Sequence, residues 1–462
     1  MVVVDEAEAH DVGEADEGYD GADSHRDEVS PRAPRSWLRV ALHDGEPRLP
    51  LAPQKGGFGY DAGEAVIRQI LQHLVRLSPR AARAAWEVLP EPLRATLRPL
   101  VYPIAAGVRE GSLRLGVEPP RERAHYDVVL GAGAEISRER RDRLEQAGHR
   151  VIDGSSALRG SALVELARRE RLVDGVYIFS ESSSAEVEHA GRLGLRVCAI
   201  TEVPELLDEL FPLVSIVVPT VDNRELCRSC LWSIEQVTGW PRLELLLVDN
   251  GSRDGTRAML AELEGRDRRL RVFENQNNEG FARGTNQGLR AARGRFVVLL
   301  NDDTVVAPGW IARLVAHLER DEKLALICPR TNHIGNEARL AVDYRTFEAM
   351  QELALRLGYD RAGESLEVET VALFCAAARR DVLDAVGGLD ERYELGMFED
   401  DDLSLTLRQR GFRVGVACDA FVHHVGQATL GKLSDASYLA LWEANKRRFE
   451  EKWKRVWQPP TV

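Results

Sequence analysis

Four groups of residues in the second half of the chain have the types and spacing to do chemistry. Asp249 closes the apolar run Leu243-Glu-Leu-Leu-Leu-Val248, and Asn301-Asp302-Asp303 closes another, Arg295-Phe-Val-Val-Leu-Leu300. Glu399-Asp400-Asp401-Asp402 sets four carboxyls in a row, and His423-His424 follows the apolar Ala420-Phe421-Val422. A hard divalent cation takes oxygen ligands and Mn2+ also accepts imidazole, so Asp303 with a histidine makes a candidate shell for Mn2+ or Mg2+. Adjacent acids at a strand end also serve as turn or cap residues, and a histidine pair there is more often structural. Four acids opening a helix suit its dipole. Yet four together repel one another beyond what capping requires, an excess that a nearby cation or a substrate proton would relieve.

The elements that must carry these groups follow from the hydrophobic pattern. Leu213 to Pro219, Leu243 to Val248 and Arg295 to Leu300 are apolar runs of the kind found in strands buried on both faces. A further strand is expected at Leu270 to Glu274, with helices over Arg224 to Gln236 and Gly280 to Ala292. Asp249-Asn-Gly-Ser-Arg-Asp-Gly-Thr256 is dense in turn formers and caps. Leu403, Leu405 and Leu407 continue an amphipathic helix from the acidic run. Strands alternating with helices predict an α/β fold, in which ligands bind at the carboxyl ends of the strands. Asp249 and the Asn301–Asp303 group both stand at such ends. The stretch from Asn332 to Glu364 shows no readable pattern.

The first half is organised differently. Residues 1–34 are rich in Asp and Glu with few bulky apolar residues, and read as a disordered acidic tail. Residues 35–122 read as a helical module, with Val66, Ile67, Ile70, Leu71, Leu74 and Val75 on one face and prolines cutting the next stretch into short pieces. Residues 123–211 alternate short strands and helices and predict a small Rossmann-like α/β domain. Gly131-x-Gly133 lacks the third glycine of a dinucleotide loop, because position 136 is Ile. A catalytic α/β domain over 212–432 and a C-terminal helix over 433–462 complete the expected order.

Bulk properties limit the partners. The 462 residues suffice for two or three domains, and 44% hydrophobic with 29% charged residues is a globular composition. A net charge of −13 argues against nucleic acid as a main partner. Most of the six cysteines lie in apolar runs, as reduced thiols do. Cys227-x-x-Cys230 permits a redox pair or half a zinc site, but no second pair answers it and its segment reads as helix. Neither a basic leader nor an apolar stretch of spanning length is visible, so a cytoplasmic protein without transmembrane segment is expected, or one peripheral at the inner face of the cell membrane.

The second half resembles the family 2, GT-A fold glycosyltransferases, nearest the rhamnosyltransferase and galactofuranosyltransferase branch. The motifs that carry the resemblance run in order: Val214-Ser-Ile-Val-Val-Pro219, Val248-Asp-Asn-Gly-Ser252, Asn278-Glu-Gly-Phe281, Asn286-Gln-Gly288, Leu299-Leu-Asn-Asp-Asp-Thr304, Gly387-Gly-Leu-Asp-Glu391, Glu399-Asp-Asp-Asp-Leu403 and His424-Val-Gly426. The final helix, with Asn445, Phe449 and Trp453, is similar to the closing helix of many members.

The resemblance implies a three-layer α/β/α domain that moves a hexosyl or deoxyhexosyl group from a nucleotide-diphosphate sugar to an acceptor hydroxyl, with inversion, in cell-surface polysaccharide or glycoconjugate synthesis. The acceptor (glycan, lipid-linked or protein) is not indicated. Pro219, Thr220 and Asp249 are expected to hold the nucleotide, with Asn286 near it or its sugar and Asn301 and Asp302 also on the nucleotide-sugar. Asn301, Asp302 and Asp303 take the place of the Asp-x-Asp metal motif, and with Asn in first position Asp303 must carry most of the metal affinity. His424 matches a metal-binding histidine, with His423 in reserve. Asp400 matches the general base, with Glu399 beside it to bind or orient the acceptor. Two other readings compete. A sugar nucleotidyltransferase would need a Gly-rich loop with Arg and Lys after the first strand, where Pro219-Thr-Val-Asp-Asn-Arg224 stands instead. A catalytically lapsed scaffold would not need Asp303, Asp400 and His424 together.

Overall fold

The computed structural model describes residues 126–131, 134–153, 161–180, 184–204, 206–426 and 434–459. The expected acidic tail, the helical module and Gly133 of the glycine pair lie outside them. The first described part is a small parallel sheet. Its elements are β1 (Asp127–Leu130), α1 (Arg138–Gln146), β2 (Arg150–Asp153), α2 (Ser161–Glu170), β3 (Gly175–Phe179), α3 (Ser184–Arg192) and β4 (Arg196–Ala199), in strand order β2-β1-β3-β4. The expected strands are all present.

The larger sheet begins with β5 (Val214–Thr220), α4 (Arg224–Val237), β6 (Leu243–Asp249), α5 (Thr256–Glu264), β7 (Leu270–Glu274), α6 (Phe281–Ala291) and β8 (Phe296–Leu300). Every residue of β5, β6 and β8 is buried, as their unbroken apolar runs demand. It continues through β9 (Thr304–Val306), α7 (Trp310–Arg320), β10 (Leu324–Arg330), α8 (Phe347–Asp360), β11 (Ser365–Glu367), β12 (Cys375–Arg379), α9 (Arg380–Val386), α10 (Glu399–Gln409) and β13 (Arg413–His424), and α11 (Asp435–Trp453) closes the chain. The strand order is β11-β13-β10-β12-β8-β5-β6-β7, with β9 on β13. This is the α/β architecture expected for the second half of the chain.

Strands β8, β5, β6 and β7 run parallel, whereas β12 enters antiparallel between β8 and β10. Strand β5 therefore has its sequence neighbour β6 on one side and β8 on the other. The crevice at the carboxyl ends of β5 and β8 is the point where the strand order reverses. Thr220 and Asn301–Asp303 stand there.

The two sheets share one apolar cluster. Tyr126, Val128, Leu130, Val176 and Ile178 of the small sheet lie in the same buried group as Val214, Ile216 and Trp240. Trp240 meets Phe211 edge-on at 4.9 Å, and Phe211 meets Tyr126 at 5.1 Å. Helix α8 forms inside the stretch that showed no pattern. Thr346 caps it by accepting from the Ala349 amide, and Phe347, Met350 and Ala354 bury against Val305 and Phe421. Among the described residues no helix is long and apolar enough to cross a membrane.

Candidate active site

At the strand reversal the two acids after Asn301 face opposite ways. Asp302 is buried; the Thr220 hydroxyl donates to its Oδ2 at 2.6 Å, and the Asn223 amide donates to both oxygens at 3.1 and 3.3 Å. It fastens the end of β8 to the loop after β5. Asp303 turns toward β13, where Val425 N–H donates to its carbonyl at 2.9 Å. Register places Thr304 opposite His424, and His424 Nε2 lies 3.3 Å from Asp303 Oδ1.

The proton on His424 follows from its other nitrogen. Nδ1 sits 2.9 Å from the His333 carbonyl oxygen, which only accepts, so Nδ1 carries the hydrogen. In the neutral ring Nε2 then presents a lone pair to a carboxylate. Two acceptors in contact need a proton or a cation between them. Burial pulls the imidazole pKa down, but the charge and hydrogen bond of Asp303 more than offset this and leave it raised. Asn332 locks the backbone here, accepting from His424 N–H at 2.8 Å and donating to its carbonyl at 3.1 Å. Asn332 and His333 went unnoticed in the sequence because they lie in the patternless stretch. His423 faces away, as strand alternation requires, and meets the Tyr344 hydroxyl at 2.6 Å. Burial, with His424 beside it, pushes its pKa down to about 4.

Among the described residues no group of three or more His, Cys, Asp and Glu side chains is arranged to hold a metal ion. The donor set of Asp303 and His424 nonetheless fits a divalent ion that completes its shell with substrate phosphates. One hard oxygen and one imidazole, both acceptors, face each other with the tautomer already fixed. Cys227 and Cys230 are buried thiols beneath this loop, Cys230 Sγ being 3.5 Å from Thr304 Oγ1, and burial raises both. Both thiols pack in the apolar core.

Two other expected site residues are engaged within the fold. Asp249 is fully buried; Ser252 N–H donates to Oδ1 at 3.1 Å and Arg257 Nε to Oδ2 at 3.0 Å. Arg257 thus stands between Asp249 and solvent, a neighbour the sequence did not single out. Asn286 on α6 is buried and clamps the following turn, donating to Leu389 O at 2.8 Å and Glu391 Oε1 at 3.0 Å while accepting from Leu389 N–H at 2.9 Å. Pro219, beside Thr220 in β5, is likewise buried.

The acidic run separates into four different environments. Asp402 is buried and bonded to Tyr393, Lys452 and Trp453. Asp401 accepts from Thr370 Oγ1 at 2.9 Å and Trp457 Nε1 at 3.3 Å. Asp400 Oδ1 accepts from Asp401 N–H at 2.9 Å, a bond at the helix start. Glu399 Oε2 is buried with no hydrogen-bond partner. Burial, then the neighbouring carboxylates, raises Glu399 well above the usual range, and burial raises Asp400 and Asp401 as well. Such a cluster titrates as a unit, so its protons belong to the group and not to one carboxyl.

The segment leading into the acidic run packs directly on α6. A Cβ on Gly280, which opens α6 with φ +88°, would lie 1.7 Å from the Glu394 carbonyl oxygen. Asn286 binds Leu389 and Glu391 a turn earlier, so α6 carries the whole 388–395 segment.

Residues 215–387 match the family described as Glycosyl transferase family 2. Over that segment the chain is similar to family 2 glycosyltransferases. The match spans β5 to α9 and includes Thr220, Asp249, Asn286 and Asn301–Asp303, but ends before Glu399 and His424. Two curated relatives are each 29% identical. One is an uncharacterized protein, y4gI, of Sinorhizobium fredii, over 53% of this chain and 28% of its own length. The other is O-antigen biosynthesis protein RfbC of Myxococcus xanthus, over 46% of this chain and 17% of its own. The chain thus spans less than a third of either relative. Among solved structures, a mannosyltransferase from Pyrobaculum calidifontis in complex with GDP-Man and Mn2+ overlaps 54% of this chain and 66% of its own, at 19% identity and TM-score 0.39.

Proposed function

We propose that this chain transfers a sugar from a nucleoside-diphosphate sugar to an acceptor hydroxyl in one inverting step. The observation that carries the reading is the opposition of Asp303 and His424 at the strand-reversal crevice, a carboxylate and an imidazole placed to share a cation as well as a proton. Asp303 and His424 would hold a divalent ion, which when bound acts as a Lewis acid toward the pyrophosphate leaving group. Pro219, Thr220 and Asp249 line the nucleotide side, with Asp302 fixing the loop between them and the metal residues. Asn301 stands beside Asp302 at the same strand end.

Asp400 takes the acceptor's proton as the new bond forms, and Glu399 orients that acceptor. General-base assistance contributes ~10²–10⁴-fold to such a step. The orphan Glu399 Oε2 supports a role toward a substrate oxygen, since buried polar atoms are ordinarily satisfied. The name of the Myxococcus relative, an O-antigen biosynthesis protein, supports a part in polysaccharide synthesis.

The test is release of nucleoside diphosphate from UDP-, GDP- and dTDP-sugars, with and without Mn2+, for wild type and Asp400→Asn. Metal-dependent turnover that falls by orders of magnitude in the variant, with nucleotide binding kept, is expected. Equal rates would remove Asp400 as the base, and no turnover of any donor would favour a lapsed scaffold.

A further inference from the structure

The family match ends at residue 387, yet the contacts that hold the acidic turn come from α11, far beyond it. Lys452 Nζ lies 2.8 Å from Asp390 Oδ2 and 2.7 Å from Asp402 Oδ2, so one ammonium joins two carboxylates. The other Asp402 oxygen takes the Trp453 indole N–H at 2.8 Å and the Tyr393 hydroxyl at 3.0 Å. Asn445, fully buried, donates to the carbonyls of Gly396 at 2.7 Å and Met397 at 3.4 Å.

These contacts act on a strained segment. Gly396, Met397 and Phe398 all have positive φ, at 143°, 78° and 73°. Two consecutive non-glycine residues in that region persist only where their surroundings over-determine them. The Phe398 ring meets those of Trp442, Phe449 and Trp457 at 5.3 to 5.9 Å. Asp390 follows Leu389, the residue Asn286 grips from α6. Lys452 therefore joins the turn on the nucleotide side to the helix that presents Glu399 and Asp400.

We propose that Lys452, backed by Asn445, is a positioning residue for the transfer reaction: it ties the Gly387–Glu391 turn to the first turn of α10 and neutralises Asp402, and so sets where Glu399 and Asp400 stand and how much negative charge surrounds them. The inference rests on the reading of Asp400 as base. The charged and titratable groups facing the acids are Lys452 and Arg455 from the C-terminal segment and Asp390, Arg392 and Tyr393 from the preceding turn. Among the described residues, Lys452 is the cation bonded to the acids themselves. Arg392, with Lys452 behind it, keeps Asp390 well below the usual carboxylate range, so that group stays charged. Without the ammonium, Asp402 would stand unneutralised beside three carboxyls whose pKa values burial already raises.

Two measurements on the full chain test this. The first follows from pH 5 to 9 the tryptophan emission that Trp457→Phe removes, since the Trp457 N–H lies on Asp401. In Lys452→Met the midpoint should rise by about one pH unit or more, and Lys452→Arg should restore it. Lys452→Gln, which keeps a donor, serves where the methionine variant does not fold. An unmoved midpoint overturns the proposal. The second is nucleoside diphosphate release from UDP-, GDP- and dTDP-sugars. Lys452→Met should lose about tenfold to a hundredfold in kcat with donor KM little changed, and the acid limb of its pH profile should move with the emission midpoint. A rate loss with an unmoved limb, or one shared by kcat and KM, makes Lys452 merely structural. Turnover of no donor by wild type defeats the functional reading, while the emission still decides what Lys452 does to the acids.

Discussion

His424 Nε2 faces Asp303 Oδ1 at 3.3 Å while the Nδ1 hydrogen is committed to the His333 carbonyl. The carbonyl fixes the tautomer, and the tautomer aims a lone pair at a carboxylate. Hydrogen-bond partners of this kind orient metal-binding histidines. Asp303→Ala and His424→Ala should each abolish the Mn2+-dependent part of the thermal stabilisation that UDP or GDP confers. Cys418→Ser, on the same strand but clear of the pair, should retain it. Full metal dependence in the Asp303 variant would remove the proposed site.

Thr220 is expected to matter through Asp302. Its hydroxyl donates at 2.6 Å to a buried carboxylate that the Asn223 amide also holds from this loop. Thr220→Val keeps the shape and deletes the donor, at a cost of ~1.5–3 kcal/mol for a hydrogen bond to a charged group. Urea unfolding measures that loss. Nucleotide affinity should weaken as well, because the loop after β5 is no longer fastened to β8; unchanged affinity would separate Asp302 from the nucleotide side.

Asp401 makes stability depend on pH. Burial, then Asp400, pushes its pKa from 3.8 to about 8. Between those values the folded chain binds a proton that the unfolded chain has released, so stability falls as pH rises through that window. Glu399 acts in the same direction. Urea midpoints at pH 5, 7 and 9 should decline, and Asp401→Asn should flatten the decline. The same slope in both proteins would mean that Asp401 is ionised throughout.

The sequence made the parallel strands legible because burial on both faces writes itself as unbroken apolar runs, as in Leu243–Val248. It also placed Asp303 and His424 at strand ends. It could not distinguish the four acids from Glu399 to Asp402, since their environments depend on Tyr393, Thr370, Lys452, Trp453 and Trp457, all brought in by tertiary contact. Helix α8 was hidden for a similar reason: its buried face is completed by Val305 and Phe421 from distant strands. Asn286 was legible as important, but its clamp on Leu389 appears only in three dimensions.

Gly280→Ala tests whether α6 sets the acidic turn. The added Cβ would fall 1.7 Å from the Glu394 carbonyl oxygen and 2.7 Å from its carbon, both backbone atoms, at a φ of +88°. A backbone clash is not relieved by a side-chain rotation, and positive φ adds its own strain. The 394–395 segment must therefore move. Turnover should fall more than nucleotide binding, because the displaced part carries Glu399 and Asp400 and not Thr220 or Asp303. Equal loss of both would point to general unfolding, which a urea titration of the variant identifies.

A fragment beginning at Pro204 tests whether the small sheet stands apart from the transferase domain. The expected boundary near residue 211 falls between β4 and β5, but the apolar cluster crosses it. Trp240 is only 1% exposed, covered by Phe211, and Arg196 lies over its ring at 5.9 Å. Asp174 ends the loop before β3 and accepts the Gly239 amide at 2.7 Å, and burial pushes its pKa up to about 6. The Tyr359 hydroxyl on α8 donates to Leu172 O at 2.9 Å. Removing residues up to 203 uncovers Trp240 on the Arg196 side and leaves the Gly239 amide and the Tyr359 hydroxyl without these acceptors. The fragment should melt several degrees lower, at about 2–4 °C per kcal/mol for a chain of this size. Where it folds it should still bind UDP or GDP with Mn2+, since Thr220, Asp249, Asp303 and His424 all lie within it. An unchanged melting temperature would show that the two sheets are independent modules, and a folded fragment that binds no nucleotide would bring the small sheet into the donor site.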